Sequence, residues 1–445
     1  MLLHGFNPNF KSVSRNTMRK YCLIIYGDYK QKLISKLSNS SLKISLTSDI
    51  WTSQFKTNYL CVTAHYIDSN WVLQKHILSF FELEHRHTAS IIASYITRAL
   101  NEYGILNSIF SISLDNASAN NNAVDILKRN LMPSFSGVFF HVHCACDILN
   151  LCVKDGLKII EPHIEKIRNC ILYVRNGSHR RHEFQTYCSE RGRKCKKYLI
   201  DVDHRWNSTY EMLECAYDDR DIISMFCNDK FPEDQVTNYD WEASNLIKEF
   251  LEIFYTSTNM FSSVYHPTTS IIINQILFIS EVFAPIVASM EVKFKKYFET
   301  IEPLPVLSMI FDPRFKIDGT FSMIDSCDKN MGLDHSFLKE NYRSLFYDMY
   351  NEYHKKHGDR WAFNLPTTIE SSSSNTKNRS ATRVVNLINQ IFFMGGSSSS
   401  SNTSTTSTSF YEINHYLNNN INNFLTLEEI DNFDILSWWK KQEHS

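Results

Sequence analysis

Residues 42–145 switch between strand-like and helix-like patterns in an order that few folds accommodate. The segment opens with three runs rich in β-branched and aromatic residues: LKISLTSD (42–49), NYLCVTAHYID (58–68) and WVLQKHILSFFELE (71–84). Such runs predict strands, and only Ser69-Asn70 separates the second from the third, which is the spacing of a tight hairpin. The chain therefore begins its sheet with one strand followed by an antiparallel pair.

The second half of this segment alternates helix and strand. A helical pattern (88–104), a strand (108–115), a second helix (116–131) and a last strand (137–145) follow one another. Because a helix between two strands implies a crossover, these later strands are expected to pair in parallel. The order β-β-β-α-β-α-β predicts an α/β fold with a mixed five-stranded sheet of the RNase H-like type, in which the first and fourth strands are neighbours.

The first and fourth predicted strands both end in an aspartate, Asp49 and Asp115. Neighbouring strands would bring the two carboxylates together as an oxygen-rich pair that suits Mg²⁺ or Mn²⁺. Two such ions roughly 4 Å apart can activate a water or a 3′-hydroxyl and stabilise the leaving oxygen in phosphodiester transfer. In the alternative interpretation, each aspartate only caps the turn that follows its strand, where aspartate is common.

Helical patterns dominate the chain beyond residue 147. They predict helices at 147–175, 207–227, 239–263, 268–300 and 335–356. The Gly/Ser/Thr-rich ends of the tract at 366–409 cannot bury enough apolar surface to become ordered, so a linker is predicted there. The predicted organisation is an N-terminal helical segment (1–40), an RNase H-like core (41–150), a largely helical insertion (151–360), a low-complexity linker (361–409) and a C-terminal segment (410–445).

The apolar window 270–290 and the cysteines bear on the compartment. The window contains Asn274, Gln275, Glu281 and Pro285, which favours a buried helix pair over a membrane span. Eleven scattered cysteines without a paired framework indicate a reducing compartment. We therefore expect no membrane association.

Four ordered motifs resemble one family. They are LTSDIWTS (46–53), SISLDNASAN (111–120), FFHVHCACDILNL (139–151) and DVDHRWNSTYEML (201–213), and IFDPRFK (310–316) and FDILSWWK (433–440) match later landmarks. Together they closely resemble the hAT superfamily of cut-and-paste DNA transposases, and within it the plant RICESLEEPER-like branch with its zinc-finger BED relatives. The resemblance covers residues 10–360 and 410–441, which is most of the chain.

The resemblance implies specific roles for four residues. Asp49 and Asp115 match the first two members of the family's catalytic Asp-Asp-Glu triad, which would bind Mg²⁺ or Mn²⁺. Arg205 and Trp206 match an Arg-Trp pair beside the active site, where the indole can stack on an unpaired base. The alternative for this pair is an indole packed at a helix start. The resemblance further implies DNA as partner, a nuclear location and a homodimer or a pair with another hAT protein. It also implies that residues 410–445 are a truncated C-terminal dimerisation region, which would weaken this pairing.

The chain departs from the family's pattern in three places. The family's catalytic glutamate follows the Trp-Trp motif by some tens of residues, whereas here Glu443 lies too close to it and Glu428 and Glu429 precede it. Asp147 stands where relatives carry a histidine, and no BED finger precedes the sheet. We therefore expect a DNA-binding protein derived from a hAT transposase that does not transpose by itself. The alternatives are an active transposase whose ends were lost in gene prediction, and an interaction protein that binds neither metal nor DNA.

Residues 166–197 form a basic segment. They contain ten Lys or Arg and two Glu, a local charge of +8 in a chain of net charge −2. Such a segment can bind DNA phosphates independently of sequence, and the same run is compatible with nuclear import. The alternative is a solvated helix face. The candidate DNA contacts are the basic residues of RGRKCKK (191–197): Arg191, Arg193, Lys194, Lys196 and Lys197.

The stretch HVHCAC (141–146) contains four zinc-type ligands. If the stretch is a strand, His141 and His143 point to one face and Cys144 and Cys146 to the other, so they cannot converge on one ion. We therefore predict free cysteines within the sheet and no zinc site.

Overall fold

The computed structural model describes residues 13–38, 41–83, 87–202, 205–230, 235–263, 266–283, 288–357, 411–418 and 433–443. They belong to two compact units, residues 1–142 and residues 143–445. The predicted linker at 361–409 lies outside the described residues. Among the described helices, none is both long and apolar enough to cross a membrane.

A mixed sheet is the centre of the first unit. Its strands are β1 (Ile44–Thr52), β2 (Asn58–Ile67), β3 (Leu73–Leu83), β4 (Ile109–Leu114) and β5 (His141–His143). They lie in the order β3-β2-β1-β4-β5, with β1-β2 and β2-β3 antiparallel and β1-β4 parallel. This confirms the predicted α/β fold with a mixed five-stranded sheet, including the contact between the first and fourth strands.

The two faces of this sheet have different environments. Alternate residues such as Leu46, Val62 and Ile112 belong to a buried core shared with the helices α2 (Ala89–Tyr103) and α3 (Ser118–Leu131), whereas α1 (Arg15–Ser38) contributes Leu37. In α2 the buried residues Ile92, Ile96 and Ala99 recur at helical spacing, which explains why this amphipathic helix packs here. The intervening strand residues, including Asp49, point to the opposite face, which we call the outward face.

The second unit is helical in all its described elements after β5. The helices are α4 (Ala145–Arg175), α5 (Ser178–Glu190), α6 (Trp206–Tyr217), α7 (Arg220–Lys230), α8 (Asn238–Phe261), α9 (Ile272–Phe283), α10 (Ala288–Phe298), α11 (Pro303–Ile310), α12 (Lys316–Met331), α13 (Ser336–His357), α14 (Tyr411–Asn418) and α15 (Ile435–Glu443). The long helix α4 packs against α8 and α10. The predicted helix at 207–227 is divided into α6 and α7. No helix was predicted at α5, α11, α12, α14 or α15.

The last strand is shorter than predicted, and this changes the environment of two cysteines. β5 ends at His143, Cys144 is the N-cap of α4, and Cys146 lies in the first turn of that helix. The prediction that both cysteines lie within the sheet was therefore wrong. The β-prone sequence HVHCAC has the local pattern of a strand, but the helix that follows begins inside it. Within the described part of the chain, no group of three metal-ligand side chains is placed to bind an ion.

Candidate functional site

Asp49 and Asp115 lie close together where the pairing of β1 with β4 ends. In the parallel pairing of β1 with β4, Leu46 lies opposite Ile112 and Thr47 opposite Ser113. The ladder ends there, because β4 ends at Leu114 and Asp115 is the first residue after it, whereas Asp49 lies within β1, two residues beyond Thr47 and on the same face. Adjacent strands lie about 4.8 Å apart, so the two carboxylates share one small region.

The electrostatics of the pair reflect this proximity. Asp49 keeps contact with solvent, yet partial burial raises the pKa of its carboxyl above the ordinary value, and the negative charge of Asp115 raises it further. The backbone N–H of Ile50 acts in the opposite sense by stabilising the ionised form. Repulsion between two carboxylates is the condition that a bound cation would relieve.

Asp115 is held in place by the turn that follows β4. Its Oδ1 atom accepts hydrogen bonds from the backbone N–H of Ala117, at 3.0 Å, and from the side-chain amide of the buried Asn120. The carboxylate therefore does serve the turn, as the alternative interpretation required. Both hydrogen bonds reach the same oxygen, so Oδ2 keeps its capacity to bind a second partner.

The donor set fits a magnesium or manganese ion. Mg²⁺ is commonly bound by one or two carboxylates, with waters and substrate phosphates completing its coordination. Asp49 supplies one such carboxylate from within β1, which continues to Thr52 and does not end at Asp49 as predicted. Asp115 supplies the other from the residue that follows β4. A third acidic ligand is not identified: Glu428 and Glu429 lie outside the described residues, and Glu443 ends α15 in the second unit.

Three aromatic rings lie on the outward face close to the aspartates, and sequence reasoning did not single them out. The rings of Trp51, Tyr59 and Phe80 are neighbours, with centroid distances of 5.1 Å for Tyr59–Phe80, 5.2 Å for Trp51–Phe80 and 6.2 Å for Trp51–Tyr59. The signal that would have found them is the alternation of the strands, because Trp51 follows Asp49 by two residues and so shares its face.

Arg205 and Trp206 are placed differently from each other. Arg205 is exposed and is the N-cap residue of α6, whereas Trp206 is only 4% exposed. The Trp206 ring lies edge-on to Phe254 of α8, with 6.3 Å between centroids. The indole thus contributes to the helical core in this conformation, and base stacking would require this packing to open. A stacking role for Trp206 stays a prediction.

The basic segment is exposed but partly neutralised within its own unit. Arg193 forms an ion pair with Asp221 at 3.0 Å, and Lys196 lies 3.4 Å from Asp219 and 3.5 Å from Asp218. Arg191 stacks over the ring of Tyr187, 3.4 Å from its centroid, and also approaches Glu190. Lys194 and Lys197 are exposed, and the structure records no acidic partner for either among the described residues. They are the best-placed cations of this run for an external anion.

Comparisons with known proteins identify the family. The ZBED1 RNase-like domain matches residues 47–138, the ZBED1 RNase-like helical domain matches 142–250, and the hAT-like transposase RNase-H fold matches 260–353. The putative AC transposase of Zea mays is 34% identical over 332 residues, which cover 70% of this chain and 41% of that protein.

Two further relatives align with nearly the whole chain. The zinc finger BED domain-containing proteins RICESLEEPER 2 of Oryza sativa subsp. japonica and DAYSLEEPER of Arabidopsis thaliana are 24% and 22% identical over 98% and 99% of it. The chain in turn spans 62% and 61% of these two proteins. The predicted resemblance is confirmed, and with domains matched from the sheet through the last long helices, the chain belongs to the hAT family of transposases and transposase-derived proteins.

Proposed function

We propose that this chain is a DNA-binding protein derived from a hAT transposase, in which Asp49 and Asp115 hold a divalent cation. The observation that carries the proposal is the parallel pairing of β1 with β4, because it brings Asp49 on β1 and Asp115, just after β4, close enough for the charge of one to act on the other. A bound Mg²⁺ or Mn²⁺ would supply charge stabilisation at a phosphodiester. The proposal includes a nuclear location and pairing with a second copy or another hAT protein.

The contacts to DNA are assigned to the second unit. Lys194 and Lys197 are exposed and have no acidic partner among the residues that the structure describes, so phosphates can bind them without first displacing an ion pair. Arg205 is exposed at the start of α6 and can add a further phosphate contact. Arg193 and Lys196 are less available, because Asp221 and Asp219 already neutralise part of their charge.

Strand transfer by this 445-residue polypeptide alone should be slow. The resemblance assigns the third catalytic ligand to a glutamate, and the described residues offer no third acidic side chain in a group with Asp49 and Asp115. Such a glutamate would help to hold a second ion, and that ion would stabilise the leaving oxygen. A preorganised electrostatic contribution of this kind is worth ~3–4 kcal/mol, or two to three orders of magnitude in rate.

The direct test of the proposal counts bound Mn²⁺ by the loss of the electron paramagnetic resonance signal of the free ion. The intact chain should bind Mn²⁺, and Asp49→Asn or Asp115→Asn should abolish binding, because either change removes half of the anionic ligand set. Asp125→Asn is the matched control, since Asp125 is an exposed carboxylate of α3 outside the pair. Equal Mn²⁺ binding by all four proteins would overturn the metal assignment.

The same proteins test the DNA assignment and the slow chemistry. Fluorescence anisotropy with a labelled DNA hairpin should show binding that weakens steeply with salt. Nicking of that hairpin in Mn²⁺ should be negligible for the 445-residue chain. It should rise when the chain is extended with the C-terminal segment of a relative. Absence of DNA binding at low salt would refute the function proposed here.

A further inference from the structure

We propose that Trp51, Tyr59 and Phe80 form a stacking platform for the unpaired bases of a DNA strand whose backbone passes Asp49 and Asp115. The inference rests on the proposed function, since it takes DNA as its ligand, and it adds a binding site and the form of DNA that occupies it. We call these three residues the aromatic platform.

Strand register places the aromatic platform beside the carboxylates. Trp51 pairs with Tyr59 across β1 and β2, Asp49 pairs with Cys61, and Cys61 pairs in turn with Phe80 on β3. Each of these residues is on the outward face. Trp51 follows Asp49 by two residues, which on a strand is a displacement of about 7 Å. That displacement is close to the spacing between neighbouring nucleotides of an extended strand.

The rings are arranged as a surface for a ligand and not as a closed core. Trp51 is 39% exposed and Phe80 is 55% exposed, although both rings touch their neighbours at stacking distances. The apolar residues that the fold needs to bury are on the opposite face, with Leu46 and Val62 each at most 1% exposed. Exposed aromatic surface that plays no part in the core is typical of a binding site.

A DNA strand with unpaired bases is the ligand that suits both the aromatic platform and the neighbouring pair of aspartates. Bases present uncharged π-faces that stack on aromatic rings irrespective of sequence, and sheet surfaces bearing aromatic side chains bind single strands in this way. Because a base is uncharged, the nearby negative charges of Asp49 and Asp115 do not repel it. The stacked bases would present the adjoining phosphate to that pair, where a cation can bridge them.

The turn that joins β1 to β2 supplies a positive charge next to the aromatic platform. Lys56 is exposed in this turn, and the turn is closed by hydrogen bonds from Ser53 N–H to the Thr57 carbonyl and from Lys56 N–H to the Ser53 carbonyl, at 2.8 and 2.9 Å. Trp51 and Tyr59 stand on the two strands that this turn connects. Lys56 can therefore contact a phosphate of the strand whose bases lie on the rings.

The test compares single-stranded and duplex DNA in the presence of EDTA, so that no metal contributes. Fluorescence anisotropy with a labelled thymine oligonucleotide should show that Trp51→Ala and Phe80→Ala each weaken binding by about 5- to 150-fold, because each removes a stacking ring. Binding of a duplex of the same length should stay unchanged, since its bases are already stacked. Phe80→Tyr keeps the ring and should retain the affinity of the unchanged chain.

Ile77→Ala is the matched control. Ile77 is 63% exposed on the same face of β3, opposite Thr63, but it is not one of the rings. It should leave both affinities unchanged, and thermal melting of all variants should confirm that they are folded. If the unchanged chain, Trp51→Ala and Phe80→Ala bind the thymine oligonucleotide with equal affinity, the proposal that the aromatic platform stacks on bases is wrong.

Two further outcomes would also overturn it, and they are distinguishable. If the unchanged chain binds duplex but not the thymine oligonucleotide, the aromatic platform is wrong while the proposed function stands. If it binds neither DNA, the proposed function fails and the aromatic platform fails with it. Analytical ultracentrifugation of the same variants measures a further property, their oligomeric state. A change of oligomeric state without a change of DNA affinity would make this face a protein interface instead.

Discussion

The indole N–H of Trp439 donates a hydrogen bond of 3.2 Å to the backbone carbonyl of Phe311, 128 residues earlier in the chain. The hydroxyl of Tyr416 likewise donates to the carbonyl of Ile310, at 2.9 Å. Both acceptors lie at the C-terminal end of α11, where helix carbonyls have no partner within the helix. The two short C-terminal helices α14 and α15 therefore complete the end of α11, and the motif FDILSWWK packs against the motif IFDPRFK.

Tyr416→Phe should lower the free energy of unfolding of the second unit by about 1 kcal/mol, because it leaves the Ile310 carbonyl without its donor. Trp439→Phe should have an effect of the same order for the same reason. Urea denaturation followed by far-ultraviolet circular dichroism measures both. Tyr29→Phe is the control, since the Tyr29 side chain is 70% exposed on α1. Unchanged stability in Tyr416→Phe would mean that α14 does not contribute to this unit in solution.

Substitution of Trp206 and substitution of Arg205 should affect different properties, the first the stability of the fold and the second DNA binding. Trp206→Ala should destabilise the protein by about 3–5 kcal/mol, because it removes a buried aromatic side chain packed against Phe254. Arg205→Ala should leave stability nearly unchanged, since Arg205 is exposed, and should weaken DNA binding. Thermal melting and anisotropy with hairpin DNA give the two readouts. If Trp206→Ala folds normally and loses only hairpin binding, the indole stacks on a base after all.

Lys194→Ala combined with Lys197→Ala should reduce the salt dependence of DNA binding. Each lost phosphate contact lowers the slope of log K against log salt concentration by about 0.9, so the pair should lower it by about 1.8. Arg193→Ala combined with Lys196→Ala should lower it less, because Asp221 and Asp219 already occupy those cations. Lys355→Ala, an exposed lysine of α13, is the control. Equal slopes for the two double variants would contradict this distinction.

The His143–Glu302 pair should make stability dependent on pH. The side-chain hydrogen bond from His143 to Glu302 and the charge of Glu302 raise the pKa of the imidazole, against the lowering effect of burial. A raised pKa in the folded state stabilises the fold fully below the ordinary histidine pKa of about 6.5, and this stabilisation is lost as the pH rises through the raised value. Both side chains are partly exposed, so the effect should be small.

Glu302→Gln is the variant that tests this pair. Its melting temperature should fall below that of the unchanged chain near pH 6 and approach it near pH 9, because the charge of Glu302 then has no imidazolium to stabilise. The glutamine oxygen can still accept from the backbone N–H of His143, so the fold should be retained. Glu242→Gln, an exposed residue of α8, controls for the loss of one carboxylate. A constant difference across this pH range would contradict the prediction.

Strand order and alternation were sufficient to predict the neighbourhood of Asp49 and Asp115. Both are local signals: the helical crossover indicates parallel pairing, and the match of the element order to the RNase H-like arrangement makes the first and fourth strands neighbours. The alternative of an indole packed at a helix start anticipated the burial of Trp206, but its partner Phe254 could not be identified in this way, because a different helix contributes it. The same holds for the basic segment: its charge is visible in the sequence, but Asp218, Asp219 and Asp221 neutralise part of it only after α7 has packed nearby.

Substitution of Asp49 by asparagine should stabilise the first unit in the absence of metal. Burial and the charge of Asp115 raise the pKa of Asp49 above its ordinary value of 3.8, so the folded state binds this proton more tightly than the unfolded state does. Stability therefore falls as the pH rises through the raised pKa, and at neutral pH the ionised Asp49 opposes folding. Asp49→Asn removes that opposition, and its melting temperature in EDTA at about pH 7 should exceed that of the unchanged chain.

Addition of Mn²⁺ or Mg²⁺ should abolish or reverse the difference in melting temperature between Asp49→Asn and the unchanged chain. An ion that binds only the folded state stabilises it by about 2.7 kcal/mol when present at 100 times its Kd. The unchanged chain should gain this stability, whereas Asp49→Asn and Asp115→Asn should gain little, because each lacks one of the two anionic ligands. Asp125→Asn should respond like the unchanged chain. If Asp49→Asn melts below the unchanged chain in EDTA, ionised Asp49 does not oppose folding. If the ion raises the melting temperature of every variant equally, the two carboxylates do not share a cation. Asp115 would then serve only the turn that follows β4, through the hydrogen bonds that it accepts from Ala117 and Asn120.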